Sequence, residues 1–203
     1  METIIFDVDG TLLSTEQMYI QALSVALEQL GIQRSAADLH HTFGLPGPAA
    51  LAYLEIDNPK EVTTKWTSLL DDYRDQIYMY NGVALMLEQL AHKHQLGIAT
   101  SNSPEEFAAH HDRFKIEQYF KTFVFAGMTP KMKPAGDPVL LAMHNLKGQA
   151  DTTIYIGDTI HDLQAAHNAG VAFGLAAWGV DDITPFTEAE YIFQTPDELV
   201  GKL

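Results

Sequence analysis

FDVDGTLLS, residues 6–14, closes the apolar run Thr3-Ile4-Ile5-Phe6 with two aspartates two positions apart, followed at once by Gly10 and Thr11. The run reads as a buried strand, because it is short, apolar and rich in β-branched residues. Like charges as close as those of Asp7 and Asp9 repel unless a cation or a shared proton compensates them. In an open parallel sheet, ligands bind beyond the carboxyl ends of the strands, near the point where the strand order reverses. An acidic strand end that turns on a glycine therefore asks what the other strands carry at the same edge.

Further strands are expected at Leu96–Thr100, Thr122–Phe125, Thr153–Ile156, Ala172–Ala176 and Tyr191–Phe193. Helical spacing separates most of them, as in Ala84–His94, Pro104–Phe114 and Pro138–Leu146. That alternation predicts a doubly wound α/β core, a parallel sheet with helices on both faces. One interval breaks the rhythm. Thr15–Leu30 carries a helical stripe of Tyr19, Leu23, Leu27 and Leu30 that Gly31 can end. Asn58-Pro59 reads as an N-cap with proline in the first turn, and Val62, Trp66, Leu69, Leu70, Tyr73 and Ile77 follow at helical steps. A crossover helix needs far fewer residues than this. The expected organisation is an α/β core of residues 1–14 and 82–203 with an inserted α-helical cap subdomain, residues 15–81. Trp66 and the tyrosines at 73, 78 and 80 read as cap core.

The strand ends converge in chemistry. Asp7-Val8-Asp9-Gly10-Thr11 follows the first, Thr100-Ser101-Asn102-Ser103 the second, Lys131-Met132-Lys133-Pro134 the third and Gly157-Asp158-Thr159-Ile160-His161-Asp162 the fourth. Several carboxylates on one rim are costly without a hard cation, and oxygen ligands without thiolates suit Mg²⁺. A carboxylate beside such an ion can attack phosphorus while a lysine takes up the charge on the phosphoryl oxygens. Plainer readings compete at single positions. Asp7 and Asp9 could form a cap or an Asx turn. Thr159-x-x-Asp162 fits a capping box. Ser101 or Ser103 could replace Thr100, and Lys131 competes with Lys133.

DVDGT at 7–11, Thr100 after Gly97-Ile98-Ala99, Lys133-Pro134-Ala135 with Asp137-Pro138, and GDTIHD at 157–162 resemble, in order, the four motifs of the haloacid-dehalogenase-like hydrolase superfamily. The resemblance spans nearly the whole chain. It implies that Asp7 is a nucleophile forming an aspartyl-phosphate and that Asp9 is the acid and base serving the leaving alcohol and the water. It implies Mg²⁺ held by Asp7, the backbone carbonyl of Asp9 and Asp158, with Asp162 supporting that site. Thr100, Ser101 and Lys133 would bind the phosphoryl group. The insertion point resembles the helical-cap subgroup of phosphoglycolate phosphatases, the pyrophosphate phosphatase and β-phosphoglucomutase. His41–Pro46, with Thr42, Gly44 and Leu45, would then be the cap's substrate-facing loop, and Arg34 and Arg74 remain as substrate-reading arginines.

The expected activity is hydrolysis of a small phosphorylated metabolite. A phosphosugar mutase with the same intermediate is the first alternative, and a phosphoaspartate signalling module is the second. Composition narrows the field. The chain has 203 residues, no cysteine, and 27 acidic against 12 basic side chains for a net charge of −15. Thiol catalysis is excluded, and nucleic acid and anionic membranes are disfavoured as partners. No secretory signal and no membrane-spanning run is read, so a cytoplasmic monomer or homodimer is expected. The nine histidines include the neighbours His40-His41 and His110-His111, which do not share a helical face at zinc-ligand spacing.

Overall fold

The computed structural model describes residues 1–45 and 47–203, His110 by its backbone alone. Pro46, the end of the expected substrate loop, lies outside the described residues. The chain divides into two compact units, Met1–Leu13 with Met79–Leu203, and Ser14–Tyr78.

The larger unit is built on β1 (Thr3–Phe6), and the chain crosses between the units at β2 (Leu13–Ser14) and β3 (Tyr78–Met79), which form a two-stranded sheet. β4 (Gln95–Ala99), β5 (Thr122–Val124), β6 (Thr153–Gly157), β7 (Ala172–Ala176) and β8 (Tyr191–Phe193) complete a six-stranded sheet with β1, in the order β5-β4-β1-β6-β7-β8. Its pairings are parallel, as strands buried on both faces require. β1 runs from its neighbour on one side, with Phe6 opposite Ile98, to the neighbour on the other, with Phe6 opposite Ile156. After β1 the chain builds β4 and β5 on one side, then returns to build β6 to β8 on the other. The order reverses between β1 and β6, so the switch point lies where Asp7 and Asp158 leave the sheet.

Alternation along β1 sends Ile5 to one face and Ile4 and Phe6 to the other. Ile5 joins Tyr155, Phe173 and Leu175 in a buried cluster closed by Val139 and Ala142 of α7 (Asp137–Asn145) and by Leu163 and Ala166 of α8 (Ile160–Ala169). α5 (Val83–Ala91) packs with α9 (Pro196–Lys202) and β4. Glu190 pins an edge of the sheet. Its carboxylate accepts the Phe173 N–H at 2.8 Å and lies 3.2 Å from His167 Nε2. Burial works against its ionisation, but these donors win and hold the carboxyl below its ordinary range. A depressed carboxyl stabilises the fold above its unfolded-state pKa and loses that contribution as pH falls through the lowered value. Glu190→Gln should cost about 0.5–1 kcal/mol at neutral pH, discounted for exposure. Urea titrations should show the gap to the parent chain close in acid.

The smaller unit holds α1 (Glu16–Gln29), α2 (Ala36–His40), α3 (Gly47–Tyr53) and α4 (Pro59–Leu69), whose Leu23, Leu27, Leu39, Leu51, Leu54 and Val62 form its core. Gly31 ends α1 in the left-handed region at φ 73°. Asn58 is the N-cap residue of α4 with Pro59 in its first turn, though its side chain makes no capping bond and its Nδ2 donates instead to Glu61 Oε2 at 2.7 Å. Two expectations are corrected here. The stripe to Ile77 is not one helix, because Leu70–Gln76 tightens to 3₁₀ turns. Asp71, Asp72 and Asp75 would otherwise place negative charge at the negative end of the helix dipole. Tyr78 is not core either, at 56% exposure. No helix among the described residues is long and apolar enough to cross a membrane.

Candidate active site

Asp7 is fixed by the strand that precedes it. Its N–H donates to the Ile156 carbonyl at 2.8 Å, continuing the β1–β6 ladder one residue past Phe6. The chain then coils back on itself, with the Leu12 and Leu13 N–H groups both bonded to the Val8 carbonyl, at 2.8 and 3.0 Å. Gly10 sits in that turn at φ +76°, and a Cβ there would lie 2.1 Å from Asp158 Oδ2. Only glycine admits both the backbone and the carboxylate.

Asp158 leaves β6 buried, and its Oδ1 accepts the Thr11 hydroxyl at 2.7 Å. Asp162 follows on the first turn of α8. It does what its spacing with Thr159 suggested, exchanging capping-box bonds with that residue. It does more besides, since its Oδ1 lies 2.7 Å from Lys133 Nζ and 3.0 Å from Tyr155 Oη. A Cβ on Gly157 would strike the Asp162 side chain, so the strand end is kept bare to let that carboxyl in. Carboxylate oxygens of Asp7, Asp158 and Asp162 lie within 4.8 Å of one another, all three residues buried.

Lys133 threads into this group from the β5–α7 connection, its side chain only 6% exposed. Its Nζ donates to Asp162 Oδ1 at 2.7 Å and Tyr155 Oη at 3.1 Å, and lies 3.0 Å from Asp7 Oδ1 as an ion pair. Burial alone would lower the Lys133 pKa, but Asp162 and Asp7 overcome it and keep the amine charged. Lys133 in turn holds Asp162 below the usual carboxylate range against the cost of its burial. Asp7 has no such excess. Burial, with repulsion from Asp162 and Asp9, outweighs the pull of Lys133 and raises it to about 7. Asp158 is raised well above its usual range, first by burial and then by the charges of Asp162 and Asp7. One lysine does not balance three carboxylates, and the deficit falls on Asp7 and Asp158.

The deficit and the free lone pairs coincide. Both Asp162 oxygens already accept protein hydrogen bonds, Oδ1 from Lys133 and Oδ2 from the Thr159 N–H at 3.0 Å. Asp7 Oδ1 accepts no well-directed hydrogen bond, and Asp158 is bonded through Oδ1 to Thr11. A small divalent cation that takes carboxylate oxygens fits Asp7 and Asp158 by charge and by unused acceptor capacity, while Asp162 serves the lysine.

Asp9 stands at the edge of this cluster with its side chain 19% exposed. Asn102 Nδ2 donates to its Oδ2 at 2.8 Å, and His111 Nε2 lies 3.4 Å from its Oδ1. Thr100, just past β4, is buried, and its Oγ1 accepts the Asn102 N–H at 3.3 Å. Ser101 is exposed on the same loop, and Ser103 is committed to capping α6 (Pro104–His111) in a capping box with Glu106. Lys131 is exposed, its carbonyl accepting the Thr129 hydroxyl. In the helical unit, Thr42 is buried and donates to the Leu39 carbonyl at 2.6 Å, Gly44 takes φ 79°, and Leu45 is half-buried. Arg34 donates to the Leu54 carbonyl and Arg74 to Asp71, so both are held within that unit.

Three residues of the rim were not singled out by sequence. Tyr155 alternates within a buried strand like any core aromatic, and only its hydroxyl, 2.8 Å from the Ala99 carbonyl, betrays a polar neighbourhood. Asn102 lay inside a recognised loop between two serines. His111 shares no zinc-ligand face with its neighbour, and only its complete burial against Asp9 marks it out. The side chain of His110 lies outside the described residues.

Comparison with known proteins gives the same lineage along most of the chain. Over 214 residues it is 30% identical to IndB of Dickeya dadantii, assigned as a phosphatase, covering 98% of this chain and 91% of that one. Over 187 residues it is 30% identical to PpaX of Caldanaerobacter subterraneus subsp. tengcongensis, assigned as a pyrophosphatase, covering 87% and 82%. A Lactobacillus plantarum crystal structure, assigned as a phosphoglycolate phosphatase, superposes with a TM-score of 0.91 at 28% identity over 98% of each chain. The sequence pattern of the haloacid dehalogenase-like hydrolases matches residues 4–176, and the chain belongs to that family.

Proposed function

We propose that the protein is a Mg²⁺-dependent phosphatase that hydrolyses a small phosphorylated metabolite through an aspartyl-phosphate on Asp7. The observation that carries this reading is the buried ammonium of Lys133, set between Asp7 and Asp162 beside the under-compensated Asp158. A site with that charge pattern holds a dianionic ester poorly by itself and well once a cation has joined it. Asp7, the Asp9 carbonyl and Asp158 would hold the ion, which neutralises charge on the phosphoryl oxygens.

The remaining roles belong to side chains. An Asp7 oxygen attacks phosphorus and forms the acyl-phosphate bond as the ester P–O bond breaks. Asp9 gives its proton to the departing oxygen, so the product leaves as an alcohol. Asp9 then takes a proton from water as that water attacks the same phosphorus, releasing inorganic phosphate and restoring the Asp7 carboxylate. Lys133 exchanges one of its present partners for a phosphoryl oxygen, and Thr100 with the Ser101 N–H receives the others. Tyr155 and Asp162 keep Lys133 extended throughout. The names assigned to IndB and to PpaX support a phosphate-ester or phosphoanhydride substrate.

The helical unit, taken as a cap, would select the substrate, with Thr42, Gly44 and Leu45 on its contact loop. A screen of phosphorylated metabolites for phosphate release, with and without Mg²⁺, tests the whole reading. Release that requires the ion is expected for a small set of esters. Interconversion of sugar phosphates without net phosphate would replace hydrolysis by mutase chemistry, and a persistent phosphoprotein without turnover would replace it by signalling.

A further inference from the structure

We propose that His111 is a positioning residue for Asp9 and that, with Asn102, it fixes the direction in which the acid–base carboxyl faces the leaving oxygen. The inference rests on the phosphatase reading and deepens it.

The argument begins with an imidazole that has no exposure at all. A buried ring must find partners for both nitrogens or lose their hydration without return. Nδ1 lies 2.9 Å from the Phe107 carbonyl, one helical turn back along α6. A carbonyl only accepts, so Nδ1 carries the hydrogen of that bond. Nε2 is thereby turned away from the helix and toward Asp9 Oδ1, 3.4 Å off. The ring cannot slide from this pose. It packs on Phe107 at 4.8 Å between centroids, and Phe107 is itself held by Phe123 and Phe125 at 5.7 and 5.4 Å.

Asn102 addresses the other oxygen of the same carboxyl, donating to Asp9 Oδ2 at 2.8 Å. The two grips come from one stretch of chain. Asn102 precedes the Ser103 capping box that starts α6, and His111 is the last residue of that helix. The residue just ahead of the N-cap of α6 and the last residue of that helix thus hold both Asp9 oxygens, and rotation of the carboxyl about its last bond breaks at least one contact. A histidine kept only for packing among Phe107, Phe123 and Phe125 would need no polar partner on a loop 102 positions earlier. An apolar ring would fill the space at lower desolvation cost. The effect of His111 passes through the aim of Asp9. Misplacing an acid–base group by a fraction of an ångström lowers its contribution, which is on the order of 10²–10⁴-fold when well placed.

The test is a comparison of leaving groups. An alkyl ester needs the proton of Asp9 to depart, whereas the nitrophenolate of p-nitrophenyl phosphate leaves without it. His111→Phe, which keeps a ring in the aromatic pocket, should lower kcat/KM on the best alkyl phosphomonoester of the screen by about 30–100-fold. On p-nitrophenyl phosphate the loss should be about threefold. His111→Gln, whose amide reaches toward Asp9 from the same turn, should recover most of the alkyl-ester loss. If His111→Phe does not fold, Asn102→Ala, which removes the other contact to Asp9, should show the same selective loss on the alkyl ester, with a thermal midpoint confirming a folded chain. Equal losses on both esters, or none on either, would overturn the inference and leave the phosphatase reading standing. A parent chain inactive on every ester would overturn that reading, and the inference with it.

Discussion

Asp7→Asn should abolish phosphate release, with kcat down by at least about 10⁴-fold, while the protein stays folded. The amide keeps the shape of the carboxyl and removes its nucleophilic oxygen. The fold should tolerate the change because the native carboxyl is strained electrostatically. Burial and the charges of Asp162 and Asp9 push it up to about 7, so a neutral group at the same place relieves repulsion. Lys133 retains Asp162 at 2.7 Å and is not left as an unpaired buried cation. The thermal midpoint should therefore match or exceed that of the parent. Acid-quenched parent protein should carry a phosphoryl adduct on Asp7 that the variant lacks. Asp9→Asn offers the complementary picture with p-nitrophenyl phosphate, accumulating the adduct because phenolate departure needs no acid and water attack needs a base. Turnover retained by Asp7→Asn, or an adduct on another residue, would remove Asp7 as nucleophile.

The division of labour among the carboxylates was only partly visible in sequence. Strand ends that carry Asp7, Thr100 and Asp158 could be read because parallel strands are buried on both faces and announce themselves as apolar runs. Asp162 illustrates what a linear reading leaves open. Its capping box with Thr159 and its ion pair with Lys133 use different oxygens of one carboxyl, so a structural and an electrostatic role were never exclusive. His111 illustrates the opposite failure. Its partner Asp9 is about a hundred positions away, and its local pattern resembles an ordinary helix end; only the meeting of the β1 and β4 loops on one rim gives it meaning. The missed end of α4 has a cause that sequence did contain. The apolar steps continue to Ile77, but Asp71, Asp72 and Asp75 lie among them, and their charge opposes the helix dipole.

The balance of charge also fixes how the protein should respond to a divalent ion. Asp7 is raised to about 7 and Asp158 is raised as well, both chiefly by burial. An unfolded aspartate titrates at about 3.9. Between those values a folded Asp7 binds more protons than an unfolded one, so it makes stability fall as pH rises through that window, and Asp158, raised likewise, acts in the same direction. Neutral and mildly alkaline solutions are where the cluster is most strained. A cation that replaces the protons should stabilise the fold most in that range. At one hundred times its dissociation constant the gain is about 2.7 kcal/mol, or roughly 5–10 °C in thermal midpoint for a chain of this size. Mg²⁺ should therefore raise the midpoint near pH 8 and do less near pH 5, where a proton already occupies Asp7. Asp158→Asn should be more stable than the parent in EDTA and should lose the Mg²⁺ response. Chelation should halt turnover of the parent and Mg²⁺ should restore it. A midpoint indifferent to Mg²⁺ at both pH values, together with full activity in EDTA, would mean that the buried carboxylates are balanced by protons and Lys133 alone.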